Sequence, residues 1–202
     1  MDVADHAARQ AAKGKFLGKC EQNSLRVSGR SELNIQNGSW TLSVAISFAF
    51  LTKAHLTEHG GATSAIAYLA RDIVHDPRFE RAFDYTHLRA DLAHEEIILP
   101  LDCPVSFLDR EKLAVKLDGT ELRKVRTPLS KRNRRPQIGL ALVVALPPAT
   151  EVSADEAAEI MRRIVVAARG SAPVPIHIAI HEARVNRHGH ALFALRPLDR
   201  DG

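Results

Sequence analysis

Apolar positions along the chain fall into short runs separated by polar, glycine-bearing or proline-bearing stretches. Their spacing predicts strands alternating with helices. SVAISFAFL, residues 43–51, is a continuous apolar run of the right length for a buried strand. Gly60 and Gly61 break the chain, and Thr63 or Ser64 then offers a cap for a helix through Ile66, Tyr68, Leu69 and Ile73 towards Pro77. Residues 84–100 include two extended pieces, around FDYTH and EEIILP, and Pro100 and Pro104 flank a loop. Leu108, Leu113, Leu117 and Leu122 recur at helical spacing over residues 107–126, although Gly119 weakens that pattern. A strand over residues 138–146 is stopped by Pro147 and Pro148. SADEAAEIMRRIVVAARG has a capping Ser153, acids in its first turn, late arginines and Gly170 as its stop, the marks of a helix. Strands over residues 174–181 and 188–195, joined by a turn through Asn186, close the chain. This order predicts an α+β fold, a mostly antiparallel central sheet with helices packed on one face.

The two final strands carry the most informative residues. Alternate side chains of a strand share a face, so His188 and His190 point one way while Ala191, Phe193 and Leu195 point towards the core. Likewise His177, Ala179 and His181 share one face, and Ile176, Ile178 and Ile180 the other. In a hairpin, His181 would end beside His188 and His190. Neutral imidazole is a common ligand for Mn, Zn, Co and Ni, and an open three-histidine site leaves room for substrate oxygens. A metal there can polarise a phosphate. A histidine-rich surface hairpin without metal accounts for the same pattern, and both readings stay open.

Tyr68 and Tyr85 are the two tyrosines. A phenol oxygen can attack a phosphodiester and hold the DNA covalently. Tyr68, however, shares a helical stripe with Ala65 and Leu69, the usual setting of a packed core tyrosine, and spacing nominates neither residue. The formal charge of +4 and pI near 9.3 permit a nucleic-acid partner without establishing one. Basic residues concentrate at Arg123, Lys124, Arg126, Lys131, Arg132, Arg134 and Arg135, with no acid among them. That segment suits DNA phosphates, and a solvated loop suits it equally. Asp118 and Glu121 precede it and can orient a histidine, take a proton, or simply be solvated.

With 202 residues, 45% of them apolar, the chain can build one domain with a full core. Aromatics make up only 5%, so that core rests on Leu, Ile, Val and Ala. Residues 1–40 read as a polar, poorly ordered leader and residues 41–202 as the domain. Cys20 and Cys103 lack metal-type spacing and read as reduced thiols. The first 19 residues lack a signal-peptide apolar run, and the apolar stretch at 42–51 is too short to span a bilayer. A soluble cytoplasmic protein is expected.

VPIHIAIHEARVNRHGHALFALRPL resembles the signature of the MobA/MobL-type mobilisation relaxases, which are HUH endonucleases. The matching residues are Ala179-Ile180-His181, Asn186, His188-Gly189-His190 and Arg196. IGLALVVALPP is similar to the family's Ala-Leu-Pro strand, SAIAYLA to its tyrosine-bearing helix, and FDYTHLRADLAHEEIILP to its Asp-Tyr segment and Ile-Leu-Pro strand. The resemblance covers roughly residues 43–199 and implies an HUH-relaxase-like sandwich. It also implies Tyr68 as nucleophile, His181, His188 and His190 as ligands of a divalent metal (Mn2+ or Mg2+), and Glu121 as a polar partner. The activity implied is nicking of single-stranded DNA at a plasmid transfer origin through a 5′-phosphotyrosyl intermediate, in conjugation or mobilisation, with accessory mobilisation proteins as possible partners. Departures are Gly189 in place of a small apolar side chain, Arg187 in place of a frequent Pro, and Ala114 where a tryptophan is often found. Glycine at 189 is expected to loosen the strand. The chain ends 12 residues after His190, so a domain truncated at its C-terminus is expected. The alternatives are a catalytically inactive, relaxase-derived DNA-binding module and a metal-binding protein with no DNA role.

Overall fold

The two C-terminal apolar runs form the middle of a five-stranded sheet. The computed structural model describes residues 49–55, 60–78, 80–122, 136–183 and 186–198. In chain order the elements are β1 (Ala49–His55), α1 (Ala62–Ala70), β2 (Ile73–Asp76), β3 (Arg81–Asp84), β4 (Leu92–Ile98), α2 (Arg110–Leu122), β5 (Gln137–Ala145), α3 (Ala154–Arg169), β6 (Ile176–Ala183) and β7 (Asn186–Ala194). The sheet order is β1-β5-β7-β6-β4, and every pairing in it is antiparallel. β2 and β3 form a separate antiparallel pair. The expected α+β class and antiparallel sheet are both present.

Helices cover both faces of the sheet, rather than the one face that the pattern predicts. The reason lies in β6 and β7, which are buried largely on both sides, with Ala179, Leu192 and Ala194 on the second face, and therefore need two covers. On one face Ile176, Ile178, Ile180, Ala191 and Phe193 pack with Ala157, Ile160, Met161 and Val165 of α3. On the other, Ala179, Leu192 and Ala194 pack with Ile66 and Ala67 of α1 and Leu113 and Leu117 of α2. Ser153 forms the expected capping box with Glu156, which holds the first turn of α3. Gly170, at φ 60°, ends that helix.

Three local expectations change. β1 continues to His55, beyond the apolar run, and lies at a sheet edge with Leu51 exposed; residues 43–48 fall outside the described residues. α1 ends at Ala70 because Arg71 takes a left-handed conformation, φ 52° and ψ 42°. Ile73 and Val74, expected in the helix, then leave as a strand paired with β3.

Neither Thr63 nor Ser64 caps α1 with its side chain. Asp118 of α2 does so across 55 residues of sequence. Its Oδ1 accepts from the Ala62 N–H at 2.7 Å, and its Oδ2 from the Thr63 N–H at 3.1 Å and the Thr63 hydroxyl at 2.8 Å. Arg78 completes the cluster with an ion pair to Asp118 at 2.7 Å. The solvated Asp118 weighed from the sequence is in fact fully buried.

Candidate functional site

The β6–β7 hairpin sets His181 directly opposite His188, with His190 facing Ala179 two positions along. Because His188 and His190 alternate with Gly189, both imidazoles lie on the α1 face with His181. Ring centroids of His181 and His190, and of His188 and His190, are 4.8 Å apart; those of His181 and His188 are 5.6 Å apart. One nitrogen from each ring falls within 4.8 Å of the others. The sequence-based convergence is therefore present.

Gly189 packs tightly in this arrangement. A Cβ added there would meet Met161 Sδ at 2.3 Å and its Cγ at 2.8 Å. The absent side chain lets α3 press onto the back of the hairpin, directly beneath the paired histidines. The loosened strand expected from a glycine is replaced by a close helix contact. Arg187 ties the same hairpin down: it is buried, pairs with Glu182, and donates to the Val152 carbonyl at 2.7 Å beside the cap of α3.

Donor and acceptor chemistry fixes which nitrogen carries the hydrogen in the neutral form of two rings. A carbonyl only accepts and a guanidinium only donates. His181 Nε2–H therefore donates to the Leu69 carbonyl at 2.8 Å, and its Nδ1 accepts from Arg71 Nη2 at 3.0 Å. His188 Nδ1–H donates to the Asn186 carbonyl at 3.0 Å, leaving Nε2 with the lone pair. His190 Nε2 is buried with no hydrogen-bond partner. Burial pushes His181 down to about 4, with Arg71 and His188 adding to the shift and the Leu69 carbonyl opposing it. Burial again, then His181, His188 and Arg71, push His190 down to about 3. Both rings are neutral near pH 7, so neither must lose a proton to serve as a ligand.

This donor set fits a divalent metal. Backbone carbonyls hold His181 and His188 by the nitrogen opposite the lone pair, the usual way an imidazole ligand is oriented. His190 Nε2 is a buried polar atom still lacking a partner. The three-histidine cluster can hold an ion, in line with the expectation of a metal site.

Tyr68 lies on the last turns of α1, half-buried, with its ring edge-on to those of both His181 and His190 at 5.7 Å. Tyr85 stands edge-on to Tyr68 at 5.5 Å, so both tyrosines belong to this site. Burial, then the neighbouring Tyr68, raises the Tyr85 hydroxyl above its ordinary value. The Glu121 backbone is in the final turn of α2. Its side chain, and the whole basic segment from Arg123 to Arg135, lie outside the described residues.

Sequence reasoning missed Arg71. Its guanidinium carbon lies 4.3 Å from the Tyr68 ring centroid while Nη2 bonds His181. The signal was a basic residue one helical turn after Tyr68. Asp91, just before β4, was also missed, and its charge reaches His181.

A model of the MobA/MobL family matches residues 61–202, from the residue before α1 through the histidine hairpin. The chain belongs to the MobA/MobL family. This is the relaxase family that the histidine segment resembles. No curated protein matches the chain significantly. One solved structure, described as "Molecular Basis of Vancomycin Resistance Transfer in Staphylococcus aureus", is similar with a TM-score of 0.60 and 22% identity, over 76% of this chain and 73% of that one. At that identity the likeness is one of fold, and it agrees with the expected relaxase-like sandwich. The MobA/MobL match holds every described residue of the site: Tyr68, Arg71, Tyr85, His181, His188 and His190. Among the described residues no helix is long and apolar enough to cross a membrane.

Proposed function

We propose that this MobA/MobL protein is a relaxase that nicks single-stranded DNA at a plasmid transfer origin, with Tyr68 as its nucleophile. The observation that carries the reading is the meeting of Tyr68 with His181 and His190 at 5.7 Å in a cluster able to hold an ion. His181, His188 and His190 would bind Mn2+ or Mg2+, which supplies charge stabilisation to a phosphate undergoing displacement. Tyr68 Oη attacks the phosphorus in line. The bond from phosphorus to the 3′ oxygen breaks, leaving a 5′-phosphotyrosyl ester and a 3′ hydroxyl. The phenol proton passes to water, and water returns one to the departing 3′ oxygen. The energy of the broken bond is kept in the ester, so the strand can be rejoined.

Tyr68 is preferred to Tyr85 because its ring meets those of His181 and His190 at 5.7 Å, whereas the ring contacts of Tyr85 are with Tyr68 and His87. The basic residues from Arg123 to Arg135 would contact DNA phosphates, and Glu121 would act as a polar partner. The segment that carries those basic residues leads into β5, whose Ala145 end, not its Gln137 end, adjoins His188. Accessory mobilisation proteins and a cytoplasmic setting follow from the same reading.

The test is cleavage of single-stranded DNA from the flank of the gene, with Mn2+, by the wild type, Tyr68→Phe and Tyr85→Phe. Loss in Tyr68→Phe alone supports the assignment; loss in Tyr85→Phe alone moves the nucleophile to Tyr85. No cleavage by the wild type, with DNA binding intact, favours a binding module that retains the fold. That second reading draws on Arg71, which occupies a nitrogen of the cluster.

A further inference from the structure

Arg71 carries an obligate positive charge at a site 5% exposed. A buried charge is costly unless it is paired and hydrogen-bonded. Two acids of neighbouring elements have other partners. Asp72 pairs with Arg110 at 2.9 Å and Arg89 at 3.5 Å, and Glu95 pairs with His177 at 2.8 Å and Arg110 at 3.4 Å. Among the described residues no carboxylate forms an ion pair with Arg71, and its Nε and Nη1 are buried with no hydrogen-bond partner. Among the described residues, the one hydrogen bond of the guanidinium is to His181 Nδ1.

That nitrogen is the only lone pair His181 has, because its Nε2–H is committed to the Leu69 carbonyl. A guanidinium N–H and a metal ion cannot both use one lone pair, and two cations side by side repel. An anion would resolve both difficulties, since a phosphate oxygen accepts from guanidinium N–H groups and strongly prefers them charged. Left-handed φ at Arg71 places the side chain just past the end of α1, where it folds back over Tyr68.

We propose that Arg71 closes the histidine cluster in the free protein, and that a nucleic-acid phosphate draws the guanidinium off His181 Nδ1 to open it for metal. Arg71 is thus both a phosphate-binding residue and the group that makes metal binding depend on DNA. The inference rests on the metal and DNA reading of the same site and adds an order to it: the strand favours the metal, and the metal favours the strand, by the same factor.

The experiment measures Mn2+ binding by electron paramagnetic resonance, with and without a short single-stranded oligonucleotide, so that no nicking is needed. Wild type and Arg71→Met are compared, with circular dichroism confirming that each is folded. Arg71→Asn, whose side chain tolerates left-handed φ, serves as a second variant. The expected result is Mn2+ affinity roughly tenfold or more higher in both variants without DNA, as removal of a competing charged hydrogen bond requires. Oligonucleotide should raise the wild-type affinity and leave that of the variants nearly unchanged. Equal or weaker Mn2+ affinity in the folded variants overturns this inference alone. Absence of Mn2+ binding in all three proteins overturns it together with the metal reading of the cluster.

Discussion

His181 and His190 are where the residue scale decides most. Their ordinary value of 6.5 applies in the unfolded chain, against about 4 and about 3 in the folded protein. Between those limits the unfolded chain binds more protons than the folded one, so stability rises with pH there. In the metal-free protein the stability that depends on these two rings staying neutral should be fully present above about pH 6.5 and be lost as pH falls from 6.5 towards 3. Melting temperatures at pH 7.5, 6 and 5 would show this as a steady fall, and His190→Gln should flatten it. A melting temperature unchanged or raised at pH 5 would contradict the burial argument. The pairing of histidines was legible from alternation alone, since i and i+2 in a strand must share a face. The left-handed turn at Arg71 was not legible, because no local rule puts such a residue at that point of the helical stripe.

Elements matter through what they hold in place. α1 presents Tyr68 and Arg71, yet it has no side-chain cap of its own and rests on Asp118. Burial raises the Asp118 carboxyl, with Arg78 and the bonds from Ala62 and Thr63 opposing that shift. Asp118→Ala leaves two N–H groups and a hydroxyl without their acceptor and removes one of the two carboxylates that Arg78 pairs with, at a cost of about 2–4 kcal/mol. Urea unfolding would report it, and a loss under about 0.5 kcal/mol, the range of ordinary surface substitutions, would show that α1 does not depend on this cap. The sequence could not reveal it, because a cap supplied from 55 residues away has no spacing signature. Ser153, which caps its own helix three residues on, was readable for the opposite reason.

The hairpin makes a parallel case. Gly189→Val must displace Met161, which is fully buried, and should cost about 1–3 kcal/mol in the same melts. It should also weaken Mn2+ binding by moving the strand between the two histidines. Stability and metal affinity equal to wild type would mean that α3 does not press on the hairpin as described. Here the residue itself was visible, but its meaning was not. Only the register of β7 against α3 distinguishes a glycine that loosens a strand from one that admits a helix.

At the scale of the whole molecule, a hairpin of two consecutive strands and a helix distant in sequence converge on one sheet end. β6 and β7 supply the three imidazoles, and α1, more than 100 residues earlier, supplies the tyrosine. The α+β class and the antiparallel sheet followed from periodicity. Helices on both faces did not, because apolar residues at Leu192 and Ala194 break the simple alternation that predicts a single covered face. Membership of the MobA/MobL family then connects this geometry with DNA mobilisation. The central claim is that Tyr68 forms a covalent bond to DNA at the histidine cluster. It is tested by incubating the protein with Mn2+ and denatured DNA from the region flanking its gene, separating the products on a denaturing gel, and identifying the modified peptide by mass spectrometry. The account predicts a DNA–protein adduct on the peptide containing Tyr68, absent in Tyr68→Phe. An adduct on any other residue, or none from a folded protein that binds both Mn2+ and DNA, would contradict it.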